Sequence, residues 1–529
     1  MRAAIFFLSL PLLYAQGDRC AVKGTVVNAK TNEPVKRAQV VLSRSGSPGT
    51  APVVALTDRA GQFELANLDP GQYSISASKE GFIPGARRPG DPPAMLTLAS
   101  GQTAEGLVFH LPPAAVIAGR VVDEDGDPLM HVHVQALHYV YRDGWRQLMV
   151  ERDAVTDDQG DYRIPGLAVG RYQVSATYSD PHLADPGFAA SLPAEGYASV
   201  YYPGVPDATQ ATSLQLHEGE ERRAVDFRLT PVRTVRVRGR VTPSPSRQQE
   251  AVFVSLRDEG QPGAPGRQAM APPSEKGAFE FRGLTPGSYT LLAQAHMEGA
   301  QLKAHQLIEV GGSNLDGVDL ALRPGVDLKG RVRVENDAGP DVKLGGLTVR
   351  LMADQASPFG GMGLTTAADG SFVFKDLTEG NYRLLVQLLP PDFYVKAATS
   401  GSTDVLEKGL TIAGETPAAL DVVLSSNTGQ VDGAVTDDDK PAIGATVVLV
   451  PMAKRLDLYQ QGATDRNGRF TIRGVAPGSY QIYAWDSIDR GAWQDPDFLA
   501  VYRNQATTVT VDDKGRVTQD LPLLHAPAE

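Results

Sequence analysis

The sequence contains a single cysteine, Cys20, among its 529 residues, so no disulfide can form within the chain. It also lacks a long basic run, and its net charge of −12 disfavours binding to a phosphate backbone. Beyond the N-terminus, no window approaches the roughly 18 consecutive apolar residues that a membrane-spanning helix needs. These absences exclude a disulfide scaffold, and they predict a protein with neither a nucleic-acid partner nor a membrane span.

The first 17 residues have the pattern of a secretory signal peptide. Arg2 supplies a positive charge, residues 3–13 form a short apolar stretch, and Ala15 and Gly17 are small residues suited to cleavage. We therefore expect residues 1–17 to be removed. The mature protein is predicted to be extracytoplasmic, in the periplasm, at the cell surface or secreted.

What the chain does contain is an internal repeat. Five times, a Gly-x-Val opening is followed by a Gly-x-aromatic element and, ten residues after that second glycine, by a Gly-x-Tyr element. The opening glycines are Gly24, Gly119, Gly239, Gly330 and Gly433. The aromatic residues of the second element are Phe63, Tyr162, Phe279, Phe372 and Phe470. The tyrosines of the third element are Tyr73, Tyr172, Tyr289, Tyr382 and Tyr480.

The residues around these landmarks predict β-structure. In the first copy, Asp58 and Gly61 belong to a turn, after which Phe63 and Leu65 alternate with polar residues, as in a strand with one buried face. A second turn, at Pro70, begins the Gly-x-Tyr strand, and we expect these two strands to form a hairpin. About seven strands fit into each unit of roughly 90–120 residues, which is typical of an antiparallel sandwich.

The three elements resemble the carboxypeptidase regulatory-like domain, a transthyretin-like (prealbumin-like) β-sandwich with the pattern Gly-x-Val, Asp-x-x-Gly-x-aromatic and Pro-Gly-x-Tyr. Ser274 and Ala367 replace the acidic turn residue in the third and fourth copies. The resemblance implies an all-β fold of five tandem antiparallel β-sandwich domains after a signal peptide, as in exported bacterial proteins. It implies no reaction, because this domain accompanies a zinc peptidase domain and is not itself catalytic. The predicted boundaries are 1–17 for the signal peptide and 18–113, 114–231, 232–324, 325–426 and 427–529 for the sandwiches.

One short stretch has the spacing of a zinc-peptidase motif. His217 and Glu220 are three residues apart, as in His-x-x-Glu, but they fall at a predicted turn before a closing strand. Because no surrounding α/β domain supplies the remaining ligand, we interpret the pair as a solvated turn. We predict no catalytic residue, no cofactor and no enzymatic activity.

The second copy carries three closely spaced carboxylates. Asp123, Asp125 and Asp127 alternate around Gly126. Clustered carboxylates are what calcium requires, although no bidentate Glu nearby in the sequence completes a binding loop. Asp-Gly is also common turn chemistry. The pattern therefore leaves two interpretations open, a calcium site and a simple hairpin turn.

Aromatic residues are concentrated in the second and fifth copies. Flat rings on one strand face could stack on sugars, whereas the same rings could also pack between domains or under long loops. The candidates for a carbohydrate-binding face are Tyr139, Tyr141, Trp145, Tyr483, Trp485 and Trp493. Exposure of the rings on one patch would favour the sugar hypothesis.

Together these patterns predict a secreted or surface-exposed, non-enzymatic protein with a structural or adhesive role. Short connectors between the sandwiches suggest a semi-rigid rod. The alternatives are a carbohydrate-binding protein that uses the aromatic faces of domain 2 or 5, and an accessory to a peptidase. The expected partners are a glycan or a surface protein, in addition to contacts between domains of the same chain.

Overall fold

The computed structural model describes residues 19–46, 50–84, 92, 95–142, 145–178, 195–243, 252–260, 266–297, 300–335, 342–353 and 361–525. The predicted signal peptide lies outside these residues. Strands dominate the described residues, which confirms the all-β prediction, and the α-helices are the short α1 (Val405–Lys408) and α2 (Pro496–Tyr502). Within the described ranges, no helix is long and apolar enough to cross a membrane.

The chain forms successive two-sheet units, which we number 1 to 5. The strands of unit 1 are β1 (Cys20–Asn28), β2 (Gln39–Arg44), β3 (Val53–Leu56), β4 (Gln62–Leu68), β5 (Gly71–Ser78), β6 (Met95–Leu98) and β7 (Thr103–Leu111). The strands of unit 2 are β8 (Ala115–Val122), β9 (Val132–Arg142), β10 (Trp145–Val155), β11 (Asp161–Leu167), β12 (Gly170–Tyr178), β13 (Glu195–Tyr197), β14 (Val200–Tyr201), β15 (Leu214–Leu216), β16 (Glu221–Arg222), β17 (Phe227–Arg228) and β18 (Pro231–Arg233).

Units 3 and 4 follow the same plan. The strands of unit 3 are β19 (Val235–Thr242), β20 (Val252–Asp258), β21 (Arg267–Ala271), β22 (Ala278–Leu284), β23 (Gly287–Met297), β24 (Ala300–Val310), β25 (Leu315–Ala321) and β26 (Arg323–Pro324). The strands of unit 4 are β27 (Val326–Val334), β28 (Thr348–Ala353), β29 (Met362–Thr365), β30 (Ser371–Leu377), β31 (Gly380–Gln387), β32 (Tyr394–Ser400), β33 (Thr403–Asp404), β34 (Leu410–Ile412) and β35 (Leu420–Ser425).

Unit 5 adds a helical segment to this plan, at residues 486–506. The strands of unit 5 are β36 (Gly429–Asp437), β37 (Lys440–Pro441), β38 (Thr446–Pro451), β39 (Gln460–Ala463), β40 (Arg469–Val475), β41 (Gly478–Trp485), β42 (Thr507–Val511), β43 (Arg516–Thr518) and β44 (Leu521–Pro522). The segment between β41 and β42, which we call the strap, contains a 3₁₀ turn at Ala492–Gln494, α2 and a second 3₁₀ turn at Arg503–Gln505.

Every unit places its opening strand in the middle of one sheet. In unit 1, β1 pairs antiparallel with β4 and parallel with β7, and the opening strands β8, β19, β27 and β36 have equivalent neighbours. In the other sheet, the Gly-x-Tyr strand of each unit pairs with the second strand, or in unit 5 with the third strand, β38. The inner faces of the two sheets meet in a hydrophobic core, one core to each unit.

The predicted hairpin between the Gly-x-aromatic and Gly-x-Tyr strands is wrong. In unit 1, β4 pairs with β1 whereas β5 pairs with β2, so the turn between them carries the chain from one sheet to the other. The side chains of Phe63 and Tyr73 therefore enter the same core from opposite sheets. Alternation predicts one buried face for each strand, but it does not tell which sheet the strand joins.

The opening glycine has a direct packing reason. Gly24 lies opposite Phe63 in the β1–β4 pair, and the same pairing joins the opening glycine to the aromatic residue in the other four units. A Cβ atom on Gly24 would lie 2.2 Å from the carbonyl oxygen of Leu107 and 2.8 Å from the Phe63 ring. The Gly-x-Val and Gly-x-aromatic elements therefore contact each other directly, because the aromatic ring packs on the backbone of the opening glycine.

The third element closes the corner between the sheets. The Tyr73 hydroxyl donates a hydrogen bond to the carbonyl oxygen of Asp69, four residues earlier, at 2.8 Å. The equivalent tyrosine makes the same bond in all the other units, at 2.8–3.2 Å. A buried phenol that reaches back to the backbone satisfies both its own hydroxyl and a carbonyl at the turn, much as in the tyrosine corner of immunoglobulin domains.

A buried threonine, which the sequence patterns did not single out, recurs in four units. Thr464 donates its hydroxyl to the carbonyl oxygen of Ala442 at 2.6 Å and accepts from the amide of Ala445 at 2.8 Å. Units 1, 2 and 4 have the same arrangement at Thr57, Thr156 and Thr366. In unit 3 the corresponding position, four residues before the turn glycine Gly277, is Pro273.

Candidate functional site

The predicted aromatic face of unit 2 lies on its longest hairpin. Strands β9 and β10 pair along their whole length, and Tyr139 and Tyr141 are both half-buried on β9. The Arg146 guanidinium lies over the Tyr139 ring, 3.6 Å from the ring centroid, which is a cation–π contact. Trp145 pairs with Arg142 at the end of the hairpin, but the side chains of both residues lie outside the described part of the chain.

The predicted aromatic face of unit 5 is buried. Trp485 is 0% exposed, and Tyr483 and Trp493 are also buried. The rings of Tyr483 and Trp485 stack with centroids 5.1 Å apart, and Trp493, a residue of the strap, packs in the same cluster. All three rings are enclosed between the sheet of unit 5 and the strap. Their placement corresponds to the alternative, packing under a long loop.

The two aromatic sets meet through a residue that sequence reasoning missed. Phe498, on α2 of the strap, contacts Tyr141 of unit 2 with ring centroids 6.3 Å apart, edge to face. The same Phe498 ring lies 6.1 Å from Trp485 and 5.3 Å from Tyr502. A continuous run of rings therefore connects the hairpin of unit 2 with the outer sheet face of unit 5.

The sequence does contain a signal for the strap. Asp495 accepts a hydrogen bond from the amide of Asp497 at 2.9 Å, and Pro496 occupies the first turn of α2. The apolar residues Phe498 and Tyr502 then follow at a spacing of four, which places them on one face of the helix. The cap, the proline and this spacing together indicate a short amphipathic helix.

Strand β38 carries a second signal. Its residues 447–450 read Val-Val-Leu-Val and are all buried, in contrast with the alternation of the equivalent strands β2 and β20 in units 1 and 3. Val447 and Leu449 face the core of unit 5, whereas Val448 and Val450 face the strap. An uninterrupted apolar strand indicates a sheet that is covered on both faces.

The three carboxylates of unit 2 form a turn. The Asp123 carboxylate accepts hydrogen bonds from the amides of Asp125 and Asp127, at 3.0 and 2.8 Å. The side chains of Asp125 and Asp127 are themselves exposed. Among the residues that the structure describes, no group of three or more His, Cys, Asp or Glu is placed to hold a metal ion. The hydrogen bonds of Asp123 are those expected of the turn interpretation.

The stretch with the zinc-peptidase spacing is also a turn. The backbone amide of His217 donates to the Glu220 carboxylate at 2.9 Å, and the amide of Glu220 donates to the carbonyl oxygen of His217 at 3.0 Å. Arg222 lies 3.3 Å from the same Glu220 carboxylate. These contacts give Glu220 a structural role in the connection before β16.

The buried phenols of these units are held in the neutral form. Burial raises the pKa of Tyr480 to about 12, and burial also raises the pKa of Tyr483 and of Tyr201. A phenol whose pKa is raised carries its proton at neutral pH. The three hydroxyls serve as hydrogen-bond donors, to Ala476, Gln481 and Gly260.

Residues 21–112 and 116–230 match the carboxypeptidase regulatory-like domain. Units 1 and 2 are therefore similar to carboxypeptidase regulatory-like domains, and the matched residues make up less than half of the chain. The opening glycine contact, the buried threonine and the tyrosine corner of units 1 and 2 recur in unit 5, which lies outside the matched residues.

Curated relatives and solved structures add distant matches. Serine-aspartate repeat-containing protein D of Staphylococcus aureus strain Newman is 28% identical over 136 residues, which cover 22% of this chain and 10% of that protein. The chain thus spans about a tenth of the length of this relative. The Streptococcal ancillary pilin covers 58% of this chain and 99% of its own at 15% identity, with a TM-score of 0.21. The full-length major pilin RrgB from Streptococcus pneumoniae covers 95% and 99% at 9% identity, with a TM-score of 0.17.

Proposed function

We propose that this protein is an extracytoplasmic, non-enzymatic structural or adhesive protein built from tandem sandwiches. The observation that carries the proposal is that the repeated motif residues all have a structural role in packing or hydrogen bonding. The glycines make room for aromatic rings and close backbone contacts, the tyrosines bond back to the turn between the sheets, and Asp58, Asp157 and Asp465 cap turns. A chain that repeats its scaffold residues five times repeats an architecture.

The topology favours a linear order of units along the chain. The opening strand of each unit pairs in parallel with a strand near the end of that unit, namely β7, β17, β25, β35 and β44, so the chain enters a unit near one end and leaves it near the other. Short connectors then suffice to join consecutive units. Loops at the ends of the sandwiches are the surfaces on which such proteins bind partners.

The signal-peptide pattern and the relative from Staphylococcus aureus support an extracytoplasmic location. Residues 1–17 predict export, and export would place the units where they can bind surface proteins or glycans. The partial likeness to a serine-aspartate repeat-containing protein is likeness to another multi-repeat chain, over 136 residues.

Cell fractionation of the native host or an expressing bacterium tests the location. We expect the mature protein outside the cytoplasm, shortened by the mass of the leader, and sensitive to protease added to intact cells or spheroplasts. Leu8→Arg, placed in the apolar stretch, should leave an unprocessed cytoplasmic chain. Finding the unsubstituted protein in the cytoplasm at full length would overturn the proposal.

A second candidate, carbohydrate binding by unit 2, is favoured by the half-exposed Tyr139 beneath Arg146. A glycan-array screen of the mature protein would detect it. Tyr139→Ala and Trp145→Ala should abolish binding if the hairpin is the site, because both remove a ring that stacks on a sugar. Tyr197→Ala, a half-buried tyrosine of the same unit that packs on Tyr178, is the matched control. No binding in the screen would leave protein adhesion, to be tested by pull-down of surface proteins.

A further inference from the structure

The units are joined by more contacts than a linear rod requires. The Tyr201 hydroxyl of unit 2 donates to the carbonyl oxygen of Gly260 in unit 3 at 2.7 Å. Arg323, in the last strand of unit 3, lies 2.6 Å from the carboxylate of Glu379 in unit 4. Arg455 of unit 5 donates to the carbonyl oxygen of Val395 in unit 4.

The contacts between units 2 and 3, 3 and 4, and 4 and 5 are joined into a closed circuit by the contact between Phe498 and Tyr141. It joins unit 5 to unit 2, which are separated in the chain by units 3 and 4. A rod has contacts between consecutive units alone, so this contact departs from the predicted rod.

Gly491, at the start of the first 3₁₀ turn of the strap, allows the strap to pack closely against the β9–β10 hairpin. Its φ is 91°, a value that favours glycine. A Cβ atom there would lie 3.0 Å from the carbonyl oxygen of Tyr141 and 3.2 Å from the Cβ of Tyr141. The strap thus approaches the backbone of β9 as closely as a residue without a side chain allows.

The strap is attached very differently on its two sides. Toward unit 5 it contributes Trp493 and Tyr502 to a buried cluster that includes Trp485 and Leu524. Toward unit 2 it presents the edge contact of Phe498 and the bare backbone at Gly491. Separation of the two units would therefore occur between the strap and the hairpin, with the strap still folded on unit 5.

We propose that the strap is a releasable closure that holds units 2 to 5 in a closed circuit. A small contact suffices for this, because units 3 and 4 tether the two surfaces and give them a high effective concentration. Closure places unit 5 against the hairpin that carries Tyr139 and Tyr141, and release leaves every unit folded while freeing that hairpin. The proposal concerns the arrangement of the units and holds whether or not the protein is displayed on a surface.

Cysteine cross-linking of the full chain tests the closed state. The ideal Cβ of Gly491 lies 3.2 Å from the Cβ of Tyr141, close to the separation of about 3.5–4.5 Å in disulfides. With Tyr141→Cys and Gly491→Cys, we expect an intramolecular disulfide under mild oxidation at low protein concentration, identified by peptide mass spectrometry.

Two control pairs make the result decisive. Tyr139→Cys with Gly491→Cys has the same number of thiols, but its strand position is two residues away, roughly 6.6 Å along β9. We expect at least about tenfold less cross-link from this pair than from the first. Ser43→Cys with Ser74→Cys, which face each other across β2 and β5, verifies the oxidation. If the Ser43–Ser74 pair cross-links and the Tyr141–Gly491 pair does not, the closed circuit is absent in solution.

Because cysteine at Gly491 would be strained, a second measurement does not alter the strap. Tyr141→Ala should increase the radius of gyration measured by small-angle X-ray scattering, whereas Tyr139→Ala, on the same strand, should leave it unchanged. Hydrogen exchange within the cores of units 2 and 5 should be unaltered by Tyr141→Ala. An unchanged radius, or a loss of protection throughout either core, would overturn the releasable closure.

Discussion

Units 3 and 5 have the same sandwich, but the outer face of one sheet is covered in unit 5 and exposed in unit 3. In unit 5, that face carries Val448 and Trp485 and is covered by the strap. In unit 3, the corresponding sheet leaves Phe253, Met270 and Leu307 exposed by 58%, 60% and 61%. The inner faces differ little, since both bury a full core.

The difference originates in one connection. In unit 5, residues 486–506 separate the Gly-x-Tyr strand β41 from the next strand, β42. In unit 3, residues 298 and 299 alone separate β23 from β24, so these strands form a tight hairpin. Units 3 and 5 thus share the sandwich of the repeated motif, whereas the connection after the Gly-x-Tyr strand supplies a covering segment in unit 5 and not in unit 3.

Trp485→Ala is expected to have the largest effect on this comparison. It removes a fully buried indole from the cluster under the strap and should lower the stability of unit 5 by about 3–5 kcal/mol. Phe253→Ala in unit 3 should change stability by less than about 0.5 kcal/mol because the ring is exposed. Hydrogen-exchange mass spectrometry of the full chain measures both, unit by unit.

Trp485→Phe separates packing from hydrogen bonding at the same position. The indole N–H of Trp485 is buried without a hydrogen-bond partner among the residues described, so phenylalanine removes an unsatisfied donor. The loss should be well below that of Trp485→Ala. Equal losses for the two variants would mean that the ring is not held by the cluster.

Thr464→Val tests the buried threonine that unit 3 lacks. Valine has nearly the same shape but leaves the amide of Ala445 and the carbonyl of Ala442 without their partner. We expect unit 5 to lose about 1–3 kcal/mol, measured by the same exchange experiment. Thr510→Val, at a more exposed threonine of the same unit, is the control and should have little effect. Equal losses of stability in the two variants, or no loss with Thr464→Val, would contradict a structural role for the Thr464 hydroxyl.

Tyr480→Phe and Tyr289→Phe test the tyrosine corner, which units 3 and 5 share. Each variant removes the hydroxyl that bonds to the carbonyl four residues earlier, Ala476 in one case and Thr285 in the other. We expect a loss of about 0.5–1.5 kcal/mol in each unit. Clearly unequal losses would show that the corner is specific to one unit and is not part of the common scaffold.

The smallest expected effect is a pH dependence at the start of the strap. The Asp486 carboxylate, 2.8 Å from His525, raises the pKa of this histidine above its usual 6.5, with a weaker contribution from Asp437. The raised pKa means that this interaction stabilises the fold fully below the unfolded pKa and is lost as the pH rises through the folded pKa. NMR titration should show the raised pKa, and the opening of residues 486–506 should increase between pH 6 and 8. With His525→Asn that increase should disappear; an unchanged increase would assign it to another group.

The repeated motif allowed much of the scaffold to be predicted from sequence. The glycine spacing located the opening, aromatic and tyrosine strands of all five units, because each motif residue has a local steric reason. The hairpin between the second and third elements was wrong because period-two alternation reports a buried face and not a strand partner. Sheet assignment depends on contacts far apart in the sequence, such as β1 with β7.

The candidate sites were less accessible to prediction. The aromatic residues of unit 5 were identified, but their burial depends on the strap, and the helical spacing of Phe498 and Tyr502 was not recognised. The contact of Tyr141 with Phe498 joins residues 357 positions apart, and no local pattern predicts such a contact. The cluster of Asp123, Asp125 and Asp127 was ambiguous for another reason. Turns and calcium sites use the same residue types, so the sequence alone could not distinguish them.

The parallel pairing of first and last strands also determines how a unit bears a pulling force. The strands β1 and β7 lie side by side and run in the same direction, so their outer ends point to opposite ends of unit 1. Tension applied through the two neighbouring connections then slides the strands past each other. All the hydrogen bonds between them are strained together in shear, whereas in a hairpin they would open one after another. We therefore expect a folded unit of this kind to resist extension along the chain.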